Sequence, residues 1–220
     1  MLGSLVKRSL PSALVDFVGD LRRVDPAARG ILIGQAFRRG FRTRPAPTLP
    51  EMTPGTIVAV CHGNILRSAY AEVLLKRAVT DGRLRPMLIR SAGLHARVGQ
   101  PADPRGIGVA EEHGHDLAGH VATPLDGTIV AHATVILIMD RRNEAELLAR
   151  HPEAGPKLIY LGSFAPSAKL GAVIPDPYTG DLEAVRVTFR RVEAAVDGLV
   201  RTLSGVETSQ GSPESLERGR

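Results

Sequence analysis

Residues 56–72 read TIVAVCHGNILRSAYAE. Residues 56–60 are a β-branched run that reads as a strand, Gly63 and Asn64 as a turn, and residues 68–79 as a helix. Cys61 therefore falls at the carboxyl end of a strand, and Arg67, six positions on, at the start of a helix. In an open parallel sheet, ligands bind in the crevice beyond the strand ends. A loop passing there from strand to helix can turn its amides inward as a nest for a tetrahedral anion, and the helix dipole adds positive potential. Arg67 would supply a planar, two-pronged donor for phosphate oxygens. Among such donors a thiol is favoured as its nucleophilic thiolate, and Ser68 is placed to donate to it. Gly63 and Asn64 tolerate the left-handed backbone that a loop folded around an anion needs. A cysteine and arginine at this spacing are a weak signal alone in so arginine-rich a chain. The bland reading of Cys61 is a small buried hydrophobe. Its place between strand and helix, with Gly-Asn inside the loop, weighs against that reading.

Outward from this stretch, strands and helices alternate. Residues 87–90 read as a second strand and 104–113 as a second helix. Residues 133–139 (ATVILIM) form a continuous apolar run, as in a strand buried on both faces. A helix over 141–150, a strand over 157–161 and a last helix over 182–203 follow. The last carries Val185, Phe189, Val192, Val196 and Leu199 at helical spacing. The succession predicts an α/β fold: a small, about four-stranded parallel sheet with helices on both faces.

The first 50 residues predict an N-terminal helical extension. Ser12 can cap a helix carrying Leu14, Val15, Val18 and Leu21, and a second runs over about 27–41 with Ile31, Ile33, Phe37 and Phe41 on related faces. Residues 44–54 hold four prolines and read as a linker. The chain thus divides into a basic helical extension with its proline-rich linker (1–50), the α/β domain (54–203) and a disordered tail (204–220).

The net charge of +5 is uneven. Residues 1–45 hold nine Lys/Arg and three acids, whereas residues 46–220 hold 19 basic and 20 acidic side chains. No nucleic-acid partner is expected from a domain so balanced. The single cysteine excludes an internal disulfide and points to a reducing, cytoplasmic setting. The apolar stretch 30–37 is too short to span a membrane. The basic extension would either dock on anionic lipid or pack on the domain or on another subunit, and packing is the preferred reading.

A phosphoryl transfer also needs an acid for the leaving oxygen. Asp176, in the proline-bracketed IPDPYTG (174–180), is the best candidate, because proline on both sides restricts its backbone. From these residues alone, a simple turn aspartate is an equal reading. Tyr178 beside it would pack on a substrate ring or on the loop. His113, His115 and His120 match no closed zinc site and are read as surface or structural; no metal or organic cofactor is expected.

Taken together, VCHGNILRS (60–68), SAGLHARVGQPADPRG (91–106), GHDLAGH (114–120), IMDRRN (138–143) and the downstream DPY resemble the low-molecular-weight protein tyrosine phosphatase family. They are most similar to its bacterial members associated with exopolysaccharide tyrosine kinases. The likeness covers about residues 55–203 and leaves the first 50 unmatched. It implies hydrolysis of phosphotyrosine on a protein substrate, through a phosphocysteine at Cys61 and with Asp176 as proton donor. Arg67 and the loop from His62 through Gly63, Asn64, Ile65 and Leu66 to Ser68 would hold the phosphate. It further implies that Asn64 shapes the loop and Ser68 stabilises the thiolate. Tyr178 would be one wall of a ring-admitting slot and Leu94 the other. Many relatives have a second cysteine where this chain has Leu66, so a protective internal disulfide is impossible here and oxidation of Cys61 can run further. For the same reason a thiol-coupled arsenate reductase, which shares fold and loop, is disfavoured. Ile65 matches tyrosine-directed members, where phosphoarginine phosphatases tend to have Thr. A non-catalytic phosphate-binding module is the remaining alternative, against which stand the nucleophile, arginine and acid.

Overall fold

Strand β1 (Thr56–Cys61) runs through the middle of a four-stranded sheet, between β2 (Leu88–Gly93) and β3 (Val135–Ile138), with β4 (Leu158–Tyr160) beyond β3. All three pairings are parallel, and Cys61 lies opposite Gly93. The structure is a computed structural model and describes residues 12–39, 55–166 and 172–205.

Alternation along the strands divides the core into two layers. Ile57, Ala59 and Cys61, with Val135, Leu137 and Ile159, face helices α3 (Arg67–Thr80), α4 (Pro104–Glu112) and α7 (Leu182–Leu203). Val58, Val60, Ile136, Ile138 and Leu158 face α5 (Gly127–His132) and α6 (Arg141–Arg150), through Val130 and Leu147. Both faces are covered, which is why the strands read as unbroken apolar runs. The α7 stripe is buried at all five expected positions, and Phe189 stacks on Tyr70 with ring centroids 4.0 Å apart. Gly198 on α7 lets the backbone of the turn at Leu161–Phe164 approach, since a Cβ there would lie 1.9 Å from the Phe164 carbonyl.

Five described helices start on an aspartate whose carboxylate accepts an early backbone amide: Asp25 for the helix at Pro26–Arg39, Asp103 for α4, Asp126 for α5, Asp140 for α6 and Asp181 for α7. Helix α5 was not expected from sequence, because six residues are too few to show a helical period. Strand β2 reaches Gly93, three residues beyond its expected end. Its last residues (Ser91, Ala92, Gly93) have little strand propensity and are ordered by pairing with β1.

The N-terminal helices α1 (Ser12–Arg23) and α2 (Pro26–Arg39) are present, and α2 packs on α6. Val24, Ala28 and Leu32 are buried together with Ala145. Burying a leucine is worth about 1.5–3 kcal/mol, and the small Ala145 and Ala149 let α2 come close. The buried face matches the expected one only in part: Leu21 and Ile31 pack against this cluster. Ile33 is 40% exposed and Val18 39%, whereas Ala28 carries the contact. The side chains of Leu14, Val15 and Phe37, residue 41 and the prolines of 44–54 lie outside the described residues. Of the expected tail, Ser204 and Gly205 close α7, the Ser204 hydroxyl donating to the Arg83 carbonyl at 2.6 Å; the remainder also lies outside the described residues. No described helix is long and apolar enough to cross a membrane.

Candidate active site

Cys61 ends β1, and the loop after it turns back over the carboxyl end of the sheet into α3. The first residues of α3 have no side-chain cap, so its N-terminal amides remain open to a ligand. The Cys61 Sγ lies 3.0 Å from the Ser68 hydroxyl and accepts the Asn64 amide at 3.3 Å. Asn64 takes a left-handed φ of 55° and ties the loop from behind. Its Nδ2 donates to the hydroxyls of Ser68 (2.9 Å) and Ser91 (2.8 Å), while its Oδ1 accepts the Thr123 amide at 2.8 Å. Ser91 in turn donates to Glu72, and His120 Nε2 lies 2.7 Å from the Asn64 carbonyl. Only an amide side chain offers donors and an acceptor together with tolerance of this backbone. Gly93 makes the close packing possible: a Cβ on it would fall 2.8 Å from the Asn64 amide nitrogen.

Arg67 is buried to 1% exposure and is held by two carboxylates. Its Nη1 donates to Asp140 Oδ2 at 2.5 Å and to the Ile174 carbonyl at 3.2 Å, and its Nη2 meets Asp176 Oδ2 at 2.7 Å. Burial works against its charge, but Asp140, then Asp176 and Cys61, outweigh it and hold the guanidinium pKa above its ordinary value. Asp140 does two jobs, since its other oxygen caps α6 through the Asn143 amide at 2.8 Å. Sequence reading missed Asp140. Its signal was an Asp-x-x-Asn pair directly after the buried strand.

The loop carrying Asp176 and Tyr178 is pinned at both ends. The Ile174 amide donates to the Met139 carbonyl at 2.8 Å. Arg105 donates to the carbonyls of Gly180 (2.6 Å) and Tyr178 (3.1 Å) while paired with Asp103 at 2.7 Å. That hydrogen bond from Arg105 holds the Asp103 carboxyl below its usual pKa. Arg105→Ala should therefore loosen the acid loop and lower kcat about tenfold to a hundredfold. Steady-state kinetics with an aryl phosphate checks this, the expected loss being smaller for a phenol that leaves readily.

Cys61, His62, Gly63, Ile65, Leu66, Arg67, Asp176 and Tyr178 line one cleft of about 210 Å³. Asn64 and Ser68, both fully buried, lie behind the loop. Leu94 needs correcting. It is 6% exposed and belongs to the α5–α6 layer of the core with Ala92, because it continues the alternation of β2. The cleft wall on that side is made by His95, Arg97 and Gln100, which sequence reading did not single out. His113 pairs with Glu193, His115 packs edge-on against Tyr70, and His120 braces the loop. Among the described residues, the histidines that approach one another with an acid are instead His62 and His95, beside Glu146. Burial, then His95, lowers the pKa of His62 and favours its neutral form.

A thiol-bearing anion loop at the end of a central parallel strand, closed by a buried arginine and a loop carboxylate, defines an α/β enzyme built for phosphoryl transfer. Residues 56–208 match the family described as low molecular weight phosphotyrosine protein phosphatase. The low molecular weight protein-tyrosine-phosphatase Wzb of Escherichia coli is 35% identical over 137 residues, covering 62% of this chain and 87% of that protein. The crystal structure of the Erwinia amylovora tyrosine phosphatase amsI superposes with a TM-score of 0.63 at 32% identity, covering 70% of this chain and 97% of that one. The YwlE arginine phosphatase of Geobacillus stearothermophilus gives 0.61 at 28% identity, covering 72% and 99%. The chain belongs to the low molecular weight phosphotyrosine protein phosphatase family, and it is a protein-tyrosine-phosphatase.

Proposed function

We propose that the protein hydrolyses phosphotyrosine in two steps through a phosphocysteine at Cys61. The observation that carries this reading is the ion-paired cluster of Arg67 with Asp176, at 2.7 Å, beside Cys61 in one cleft. The thiolate, stabilised by the Ser68 hydroxyl and the Asn64 amide, attacks phosphorus, and the bond to the phenolic oxygen breaks. Asp176 gives that oxygen its proton. Water then attacks the phosphocysteine, Asp176 takes the water's proton, and the sulfur–phosphorus bond breaks to release inorganic phosphate and the thiolate. Arg67 and the loop amides hold the equatorial oxygens in both steps. In the free protein, Asp176 occupies the Arg67 Nη2 position that a phosphate oxygen would take. Arriving phosphate displaces the carboxylate, which is then placed to serve the leaving oxygen.

The walls support an aryl substrate. Ile65 and Leu66 present apolar atoms, and Tyr178, 58% exposed, offers a ring face. The fold alone does not choose between phosphotyrosine and phosphoarginine, since tyrosine and arginine phosphatases superpose on this chain about equally well. The sequence family favours phosphotyrosine, and peptides carrying one or the other test it. We expect kcat/KM to favour phosphotyrosine by at least about tenfold; the reverse order would overturn the reading.

The sequence likeness to exopolysaccharide-associated members makes a tyrosine kinase of that process the proposed protein substrate. The nucleophilic chemistry of a lone thiol suits a reducing cytoplasm. For the extension we favour packing over lipid docking, supported by the burial of Ala28 and Leu32 against α6.

A further inference from the structure

His62 follows the nucleophile in the loop, and its ring stacks on that of His95 with centroids 4.3 Å apart. His95 Nε2 lies 2.8 Å from Glu146 Oε2. One ligand atom from each of His62, His95 and Glu146 falls within 4.8 Å of the others. We propose that these three residues form a site for an imidazole-preferring divalent cation of the zinc type, at the mouth of the catalytic cleft, and that an ion held there inhibits the phosphatase.

Two features of the cluster are unsatisfied without a cation. The Glu146 side chain is 1% exposed, and its Oε1 is buried with no hydrogen-bond partner. A buried carboxylate oxygen so placed calls for a partner. His95 Nε2 also lies 3.0 Å from Arg150 Nη2, so one nitrogen faces both a carboxylate oxygen and a guanidinium donor. A single imidazole nitrogen cannot donate to the first and accept from the second. An ion bridging Nε2 and the carboxylate resolves the conflict, and Arg150 keeps its 2.6 Å bond to the Leu94 carbonyl.

Two imidazoles and a carboxylate are a zinc donor set, with the fourth position open. Tetrahedral coordination at about 2.0–2.1 Å needs the donor atoms to close to roughly 3.3 Å. His95, 38% exposed on its side chain, can make that movement. Arg142 and Arg150 bring positive charge to the same neighbourhood. That charge disfavours magnesium or calcium, which are held by charge alone, more than an ion bound through nitrogen lone pairs. Because His62 and His95 line the cleft with Cys61, a bound ion narrows the entrance that a phosphotyrosine must use.

The binding half of the proposal stands apart from the catalytic reading; only the inhibition rests on it. The full chain carrying Cys61→Ser, which removes the thiolate as a ligand, is titrated with Co²⁺, read by its visible absorption, and with Zn²⁺ by calorimetry. We expect one ion per chain. His95→Ala and Glu146→Gln in the same background should each weaken binding at least about tenfold. His95 is at the surface, so its variant remains informative if the buried Glu146 variant misfolds. No binding, or binding equally tight in His95→Ala, overturns the site. With Cys61 present, Zn²⁺ should inhibit turnover, and His95→Ala should raise the Zn²⁺ concentration for half-inhibition at least about tenfold. Unchanged inhibition in that variant would put the ion on the Cys61 thiolate and overturn the inhibitory role.

Discussion

Replacing Cys61 with serine is expected to lower kcat/KM for an aryl phosphate by at least about 10⁴-fold, some 5 kcal/mol of transition-state stabilisation. The loop donors cannot make an alkoxide of serine at neutral pH, and the side chain hydrogen-bonded to the sulfur is the Ser68 hydroxyl at 3.0 Å, which is no base. Arg67 and the loop amides remain in place, so vanadate or phosphate should still bind. That combination separates an enzyme from a phosphate-binding module. A binding module would show no turnover in the unaltered protein, and a Cys61→Ser chain that turned over at the original rate would remove the thiolate from the reaction.

Asp176→Asn should lower kcat by about 10²–10⁴-fold, the range for loss of a positioned general acid. The loss depends on the leaving group. A nitrophenolate departs with little help, whereas an unsubstituted phenolate or tyrosine needs the proton, so the deficit should be largest for the poorer leaving groups. KM should hold steady or fall, because the neutral amide of the variant no longer competes as an anion for the Arg67 Nη2 that Asp176 holds at 2.7 Å. An equal loss of kcat/KM, which reports the first step, for every leaving group, or a loss confined to KM, would make Asp176 a positioning residue for Arg67 and not the proton donor.

The parts of the site that were legible in the sequence are those the chain brings together locally. Cys61, Asn64, Arg67 and Ser68 fall within one strand-to-helix turn, where sequence spacing is nearly spatial spacing. Asp140 is 73 residues from Arg67, and its one local signal, the Asp-x-x-Asn pair, reads as a helix cap. The cleft wall was misplaced by one residue for a definite reason. Leu94 was a wall only by family likeness; pairing of Gly93 with Cys61 carries the alternation of β2 past residue 90 and turns Leu94 into the core. His95, next along, is left at the cleft. The extension shows the same limit. Periodicity of large side chains favoured Ile33, but the contact surface on α6 is shaped by Ala145 and Ala149, and the small Ala28 fits it.

A covalent phosphoenzyme on Cys61 is tested most directly by acid-quenching a turnover mixture and measuring the intact chain and its peptides by mass spectrometry. The Asp176→Asn variant with nitrophenyl phosphate suits this, because its first step needs little acid while its second lacks the base, so the intermediate accumulates. We expect one added phosphoryl group, on the peptide containing Cys61, and none in the Cys61→Ser chain. Turnover with no adduct, or a phosphoryl group on His62 or another residue, would contradict the two-step reaction through Cys61.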